Sequence, residues 1–394
     1  MIITTALIFG FKQEISEKIF GFWGHIHITD NNINRGVLES EAIDRRQSFY
    51  PSLDTIERVT FLKQRITGDM IDFVEAQSYG GIRHIQTFAL SPGIIKTKTD
   101  IEGIVLKGVG KDFSPDFMEQ YLTEGSFIDL AAEQPTDGIV VSRQTADRLN
   151  VTVGDKFIFH FIRNNEQIKR RFTVNGIYKT GLEEYDRRFA LTDIRKIQQL
   201  LKWSEDEVGG FEVFIDDIRD LDAMTEYILL EKLPNELYAE NIRRKFPPIF
   251  EWLELQDVNQ YVIIILMLVV SIINMITALL ILILERTNMI GTLKALGGKN
   301  FSIRKIFLYY AAFIIGVGLF WGNLLGLGLC WLQDTFKFVK LSEADYYLSY
   351  APVKINWLMV AGINVGTLLL TTLVLIIPSY LVSKISPVKA LRFK

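Results

Sequence analysis

The chain has 394 residues, 49% of them hydrophobic, with a mean hydropathy of +0.20, which is more apolar than one soluble core requires and excludes a disordered chain. Its 43 Lys and Arg nearly balance 46 Asp and Glu, which excludes a protein built to coat nucleic acid. The balance is uneven, with 12 basic and 4 acidic residues from Glu285 onward against 31 and 42 before it, and the single Cys330 excludes both an intrachain disulfide and a cysteine-built metal site.

Residues 1–10 are apolar but too short to cross a hydrocarbon layer of about 30 Å, and no basic segment precedes them as in a signal peptide. They read as the remnant of a first transmembrane helix ending near Gly10, most of which lies upstream of Met1. Residues 11–257 have the mixed pattern of an α+β domain, large enough for two lobes, with an insertion over about 96–210. Alternating or β-branched runs predict strands at His25–Ile28, Ile101–Val109, Gly138–Val141, Lys156–Ile162, Arg171–Tyr178 and Phe211–Ile215. Apolar residues three or four apart predict helices at Ser52–Ile66, Arg143–Leu149, Thr192–Leu201 and Leu221–Leu233, with Asp193 and Asp220 near helix starts. Pro247-Pro248 ends this region, and Ile249–Val258 resumes as a helix that runs into the membrane.

Three runs without charged side chains, Tyr261–Leu284, Ile306–Leu332 and Ile355–Ser383, are apolar on every side and long enough to span, giving transmembrane helices at 258–284, 306–332 and 355–383. Ser271, Asn274 and Thr277 lie on one side of the first, where polar groups favour protein or a cavity over acyl chains. In the second, Gly318, Gly322 and Gly326 recur every fourth residue and make a surface that another helix can approach closely. Pro378 predicts a kink near the inner end of the third.

The segments between the spans set the orientation. Residues 285–305 carry Arg286, Lys294, Lys299, Arg304 and Lys305 against Glu285 alone, and the tail 384–394 carries four cations and no acid, so both belong in the cytoplasm. In the loop 333–354 Lys337, Lys340 and Lys354 are offset by Asp334, Glu343 and Asp345, as suits the other side, and this puts the large domain outside as well. Within 285–305, Met289, Ile290, Leu293 and Leu296 have helical spacing and Gly297-Gly298 supplies a stop. This short amphipathic helix either lies on lipid headgroups or fills a partner's groove, and the residues alone leave both open.

No catalytic set can be assembled. There is no Gly-x-x-x-x-Gly-Lys-Ser/Thr phosphate loop; Gly108-Val109-Gly110-Lys111 lacks its spacing. His25 and His27 share a strand face but have no third ligand nearby, and Glu183-Glu184 and Asp216-Asp217 read as solvated turns. The sequence calls for no cofactor and no metal. Such a chain moves or relays rather than reacts.

A resemblance then becomes specific. Glu285-Arg286-Thr287, Ile290-Gly291, Leu293-Lys294-Ala295-Leu296-Gly297 and Ile303 to Phe307 resemble the coupling-helix signature of the FtsX/MacB superfamily of ABC permeases. Pro378 with Ile385-Ser386-Pro387-Val388-Lys389-Ala390-Leu391-Arg392 resembles that family's closing pattern. Gly103 to Val109, Gly138 to Ser142, Leu149 to Lys156 and Phe172 to Ile177 are similar to the periplasmic lobe of the LolC/LolE lipoprotein-releasing branch. The resemblance implies a multi-pass protein of the cell inner membrane with four spans, both termini cytoplasmic and a large periplasmic domain between the first two. It implies a dimeric cytoplasmic ABC ATPase that grips the coupling helix, here through Arg286, Met289, Ile290, Leu293, Leu296 and Gly297. It also implies a second permease copy or paralogue and, on this branch, a periplasmic lipoprotein carrier as partners. Relatives carry Glu where this chain has Met289, and the long Pro-containing hairpin that captures the carrier is replaced at Phe161–Phe172 by a short turn around Asn164-Asn165-Glu166. The expected function is release of lipoproteins driven by ATP hydrolysis on a separate subunit. The alternatives are an FtsX-like regulator of a periplasmic cell-wall hydrolase, set against by the size of the outer domain, and a MacB-like efflux permease.

Overall fold

The computed structural model describes residues 1–32, 39–67, 70–96, 101–163 and 166–384. Two compact units arise from the chain: one from Met1–Glu14, Ile249–Leu341 and Tyr350–Lys394, the other from Ile15–Pro248 and Ser342–Ser349.

The larger unit is α+β. Its ten-stranded mixed sheet is ordered β14 (Leu237–Asn241), β1 (Ile26–Asp30), β13 (Gly210–Ile215), β5 (Ile82–Lys96), β6 (Ile101–Val109), β11 (Phe189–Asp193), β8 (Gly138–Ser142), β10 (Glu166–Tyr178) and β7 (Leu122–Gly125), with β9 (Lys156–Arg163) on β10 and on the far end of β5. Two pairings, β11 with β6 and β10 with β8, are parallel. Strand β5 can serve three partners because Gly93 lets β9 close in; a Cβ there would lie 2.0 Å from the Phe159 ring. Strands inside and outside residues 96–210 therefore share one sheet and one core, in which Ile28, Leu106, Val141, Phe159, Phe172 and Phe211 are buried. Short strands β2 (Ile43–Asp44) and β12 (Glu207–Val208) pair with each other, as do β3 (Thr60–Thr67) and β4 (Met70–Gln77).

Each of the six runs read as strands forms one. The helix read at Ser52–Ile66 does not form: a 3-10 turn covers Ser52–Thr55, residues 56–59 are irregular, and β3 takes Thr60 onward, where pairing with β4 overrides a coincidental helical spacing. Helix α3 (Arg143–Leu149) stands as read, after α2 (Asp116–Gln120) and before α4 (Glu183–Arg188). Helix α5 (Ile194–Leu201) begins two residues later than read, with Asp193 ending β11 and capping it by accepting from the Arg195 amide at 2.9 Å. Helix α6 (Leu221–Tyr227) continues as a π turn over Ile228–Lys232. Asp220 does not cap it; its carboxylate accepts instead from the amides of Tyr79 and Gly80 at 2.7 and 3.0 Å.

The first helix also differs from the reading. Helix α1 runs over Ile2–Trp23 instead of ending near Gly10, since Ile15, Ile19, Phe22 and Trp23 bury one face of its second half, and Gly24 with φ +73° stops it. Short α7 (Ile242–Lys245) precedes α8 (Pro247–Glu285).

The smaller unit is helical. Among the described residues three helices are long and apolar enough to cross a membrane: α8, α10 (Asn300–Phe336) and a last one over Trp357–Lys384. The last is broken on either side of Pro378 into α12 (Trp357–Val374), α13 (Ile376–Ser379) and α14 (Leu381–Lys384). Asn323 of α10 and Asn364 of α12, both half-buried, exchange amide hydrogen bonds of 2.8 and 3.0 Å, a polar pairing suited to lipid. In the loop after α10, α11 (Glu343–Tyr346) lies in the larger unit, where Glu343 pairs with Lys179 at 2.7 Å and Lys18 donates to the carbonyls of Thr180 and Tyr347.

Candidate functional site

The segment between α8 and α10 folds as its sequence directs. Helix α9 (Thr287–Ala295) closes with the Gly298 amide donating to Leu293 O at 2.9 Å and the Gly297 amide to Lys294 O at 3.0 Å, while Gly297 takes φ +88°. This double bond is the glycine C-cap that the Gly297-Gly298 pair encodes.

The apolar stripe of α9 divides. Ile290 is fully buried in a cluster with Leu279, Ile283, Ile303, Phe307 and Val382, and Leu293 packs against that cluster half-buried. Leu296 is 80% exposed and Met289 40%, with Arg286 and Gly297 exposed beside them. Ile290 thus cannot be a direct partner contact, because it holds the segment onto its own helices. The surface that remains for a partner is Arg286, Met289, Leu296 and Gly297.

Two cations that the sequence reading used for orientation and within the coupling-helix signature are also ligands of backbone. Lys294 Nζ donates to the carbonyls of Val382 at 2.8 Å and Ser383 at 3.1 Å, and burial lowers its pKa. Arg304 Nη2 donates to Ile376 O at 3.2 Å and its Nε to Ser379 Oγ at 3.3 Å. Periodicity could not reveal this, since the acceptors lie over 70 residues away.

The other candidate residues stand as follows. Around Gly318 and Gly322 an added Cβ would meet nothing within 4 Å, whereas at Gly326 it would meet Ile2 Cβ at 3.7 Å, so only Gly326 packs on a helix of this chain among the described residues. Ser271, Asn274 and Thr277 are exposed; Ser271 and Thr277 satisfy their hydroxyls on the carbonyls of Met267 and Ile273. The turn at Asn164-Asn165 and the motif from Ile385 to Arg392 lie outside the described residues. Register places Arg163 opposite Glu166 across β9 and β10.

In the larger unit, His27 is one member of a buried network that sequence reading missed. Its Nε2 donates to Trp23 O at 2.5 Å, so Nδ1 accepts from Lys245 Nζ at 2.6 Å. Close by, Lys107 and Glu212, both 0% exposed, pair at 2.7 Å, and Glu212 also accepts from Gln86 at 2.8 Å. Burial pushes the Lys107 pKa down and the Glu212 pKa up, and their contact opposes both. Among the described residues no group of three or more His, Cys, Asp or Glu could hold a metal.

Residues 261–387, from α8 through the last helix, match the family described as FtsX-like permease C-terminal. The chain is 23% identical over 330 residues to the lipoprotein-releasing system transmembrane protein LolE of Haemophilus influenzae, covering 79% of this chain and 77% of that one. It is equally 23% identical to LolC of Neisseria meningitidis serogroup B, covering 80% and 79%. Against LolC of Buchnera aphidicola it is 22% identical over 402 residues, covering 99% and 89%. The membrane helices and the joining α9 thus carry an FtsX-like permease C-terminal domain, and over most of its length, the α+β unit included, the chain is similar to LolC and LolE proteins.

Proposed function

We propose that this chain is the permease subunit of an ABC transporter of the inner membrane that releases lipoproteins, with a cytoplasmic ATPase dimer hydrolysing ATP against α9. The exposed patch of Met289 and Leu296 carries the reading. A leucine left 80% exposed at the tip of a helix between two membrane spans suits a protein groove. The large unit then lies in the periplasm, with a second permease copy or paralogue completing the transporter. ATP-driven closure pushes α9, and the helices it joins carry the motion outward. A periplasmic carrier, if one receives the cargo, needs about 800 Å² of interface per partner, which the short turn between β9 and β10 does not offer alone, so its contact spreads over the outer unit or falls to the companion permease.

The test is Leu296→Asp. Leu293 is a poorer choice, because its side chain packs on the chain's own core. We expect Leu296→Asp to abolish co-purification of the ATPase from native membranes while insertion and thermal stability stay unchanged. Undiminished co-purification and ATP hydrolysis would make α9 a headgroup-lying helix and remove the main support for the transporter.

A further inference from the structure

The segment joining α8 to α10 is tied to the inner end of the last helix. The break around Pro378 diverts the Tyr380 amide to Ile377 O at 3.1 Å and leaves Ile376 O without its usual helical donor. Arg304 Nη2 and Ser379 Oγ take that carbonyl at 3.2 and 2.7 Å, and the Arg304 guanidinium lies 5.3 Å from the centre of the Tyr380 ring. One turn on, in α14, Lys294 donates to the carbonyls of Val382 and Ser383. Beneath these polar bonds Ile290, Ile303, Phe307, Leu375 and Val382 form one buried cluster. A cation meant only to face headgroups would stay hydrated. Both of these have instead given up rotamer freedom to reach backbone carbonyls of the last helix.

We infer that Lys294 and Arg304 are positioning residues that lock α9 onto the end of the third span, so that a push on α9 reaches that helix at the Pro378 break as well as α8 and α10. The lock stands on the hydrogen bonds and the shared cluster; its use in transport rests on the proposed ATPase contact.

Two readouts separate these claims. The first uses the full chain in lipid nanodiscs, with Cys330→Ser and a spin label at Lys384→Cys. The label should be motionally restricted, become mobile in the Lys294→Met/Arg304→Met double variant, and stay restricted in Lys294→Arg, which still reaches the carbonyls. Equal mobility in all three would overturn the lock. The second uses the complex purified with its ATPase. The double variant should keep the ATPase bound but lose about tenfold of the permease-dependent stimulation of ATP hydrolysis, a loss within the usual range for coupling between sites. Lys294→Arg should restore it, and full stimulation in the double variant would overturn the transmission role. Failure of the unmodified chain to retain an ATPase would instead sink the proposed function, and the spin label would still decide the lock.

Discussion

His25 cannot take a proton without leaving its place. Its Nδ1 accepts from the Ile215 amide at 3.4 Å, and its ring stacks on Phe20 with centroids 4.5 Å apart. Burial, with Arg83 adding to it, lowers its pKa from 6.5 to about 3. Between those values the unfolded chain binds a proton that the folded chain refuses, so stability contributed above pH 6.5 is lost as pH falls toward 3, by on the order of 5 kcal/mol in full. Thermal unfolding followed from about pH 7 to about pH 4 should show this loss, and His25→Phe should flatten it. At the same scale, Lys107→Met strands Glu212 as a buried, unpaired charge and should cost about 3–5 kcal/mol in denaturant unfolding. Adding Glu212→Gln, which still accepts from Gln86, should recover most of that. The sequence revealed that His25 and His27 sit side by side on polar-looking positions. It could not reveal that both are buried, because most of the groups that enclose them, Phe214, Lys245 and Glu212, come from distant strands and helices.

Elements were legible where their signals are local. The stop of α9 is written in Gly297-Gly298, and the cap of α5 in Asp193. The share of the α9 stripe that turns inward was not legible, since Ile290 is covered by Phe307 and Val382, which only tertiary packing brings near. The misread stretch at Ser52–Ile66 has the same cause, with β4 deciding what helical spacing seemed to assign. Polar pairing inside the membrane was likewise invisible until two helices were set together. Asn364→Leu leaves the Asn323 amide without its partner and should destabilise the helical unit by about 0.6–1.7 kcal/mol in detergent unfolding, while Asn323→Leu/Asn364→Leu should restore much of it. A double variant no better than the single would assign the cost to packing instead.

For the whole molecule, the charge distribution predicts the membrane topology, and residues 342–349 pack into the larger unit, as that proposed topology requires of a loop on the same side. With Cys330→Ser as background, single cysteines at Lys340 and Lys299 give the check. A membrane-impermeant maleimide applied from the periplasmic side should label position 340 at once and position 299 only after the inner membrane is opened. The opposite order would invert the proposed orientation.

The Asn323–Asn364 pair has a consequence for how the protein is made. Asn323 leaves the ribosome before Asn364, so the second long helix must enter the bilayer with an amide that has no partner yet. A lone asparagine is tolerable there only because the rest of Ile306–Leu332 is so apolar, and that surplus reads as an allowance for insertion. Its own reward comes later, when the third helix arrives and the two amides close on each other, making assembly of the bundle a step distinct from, and later than, entry into lipid.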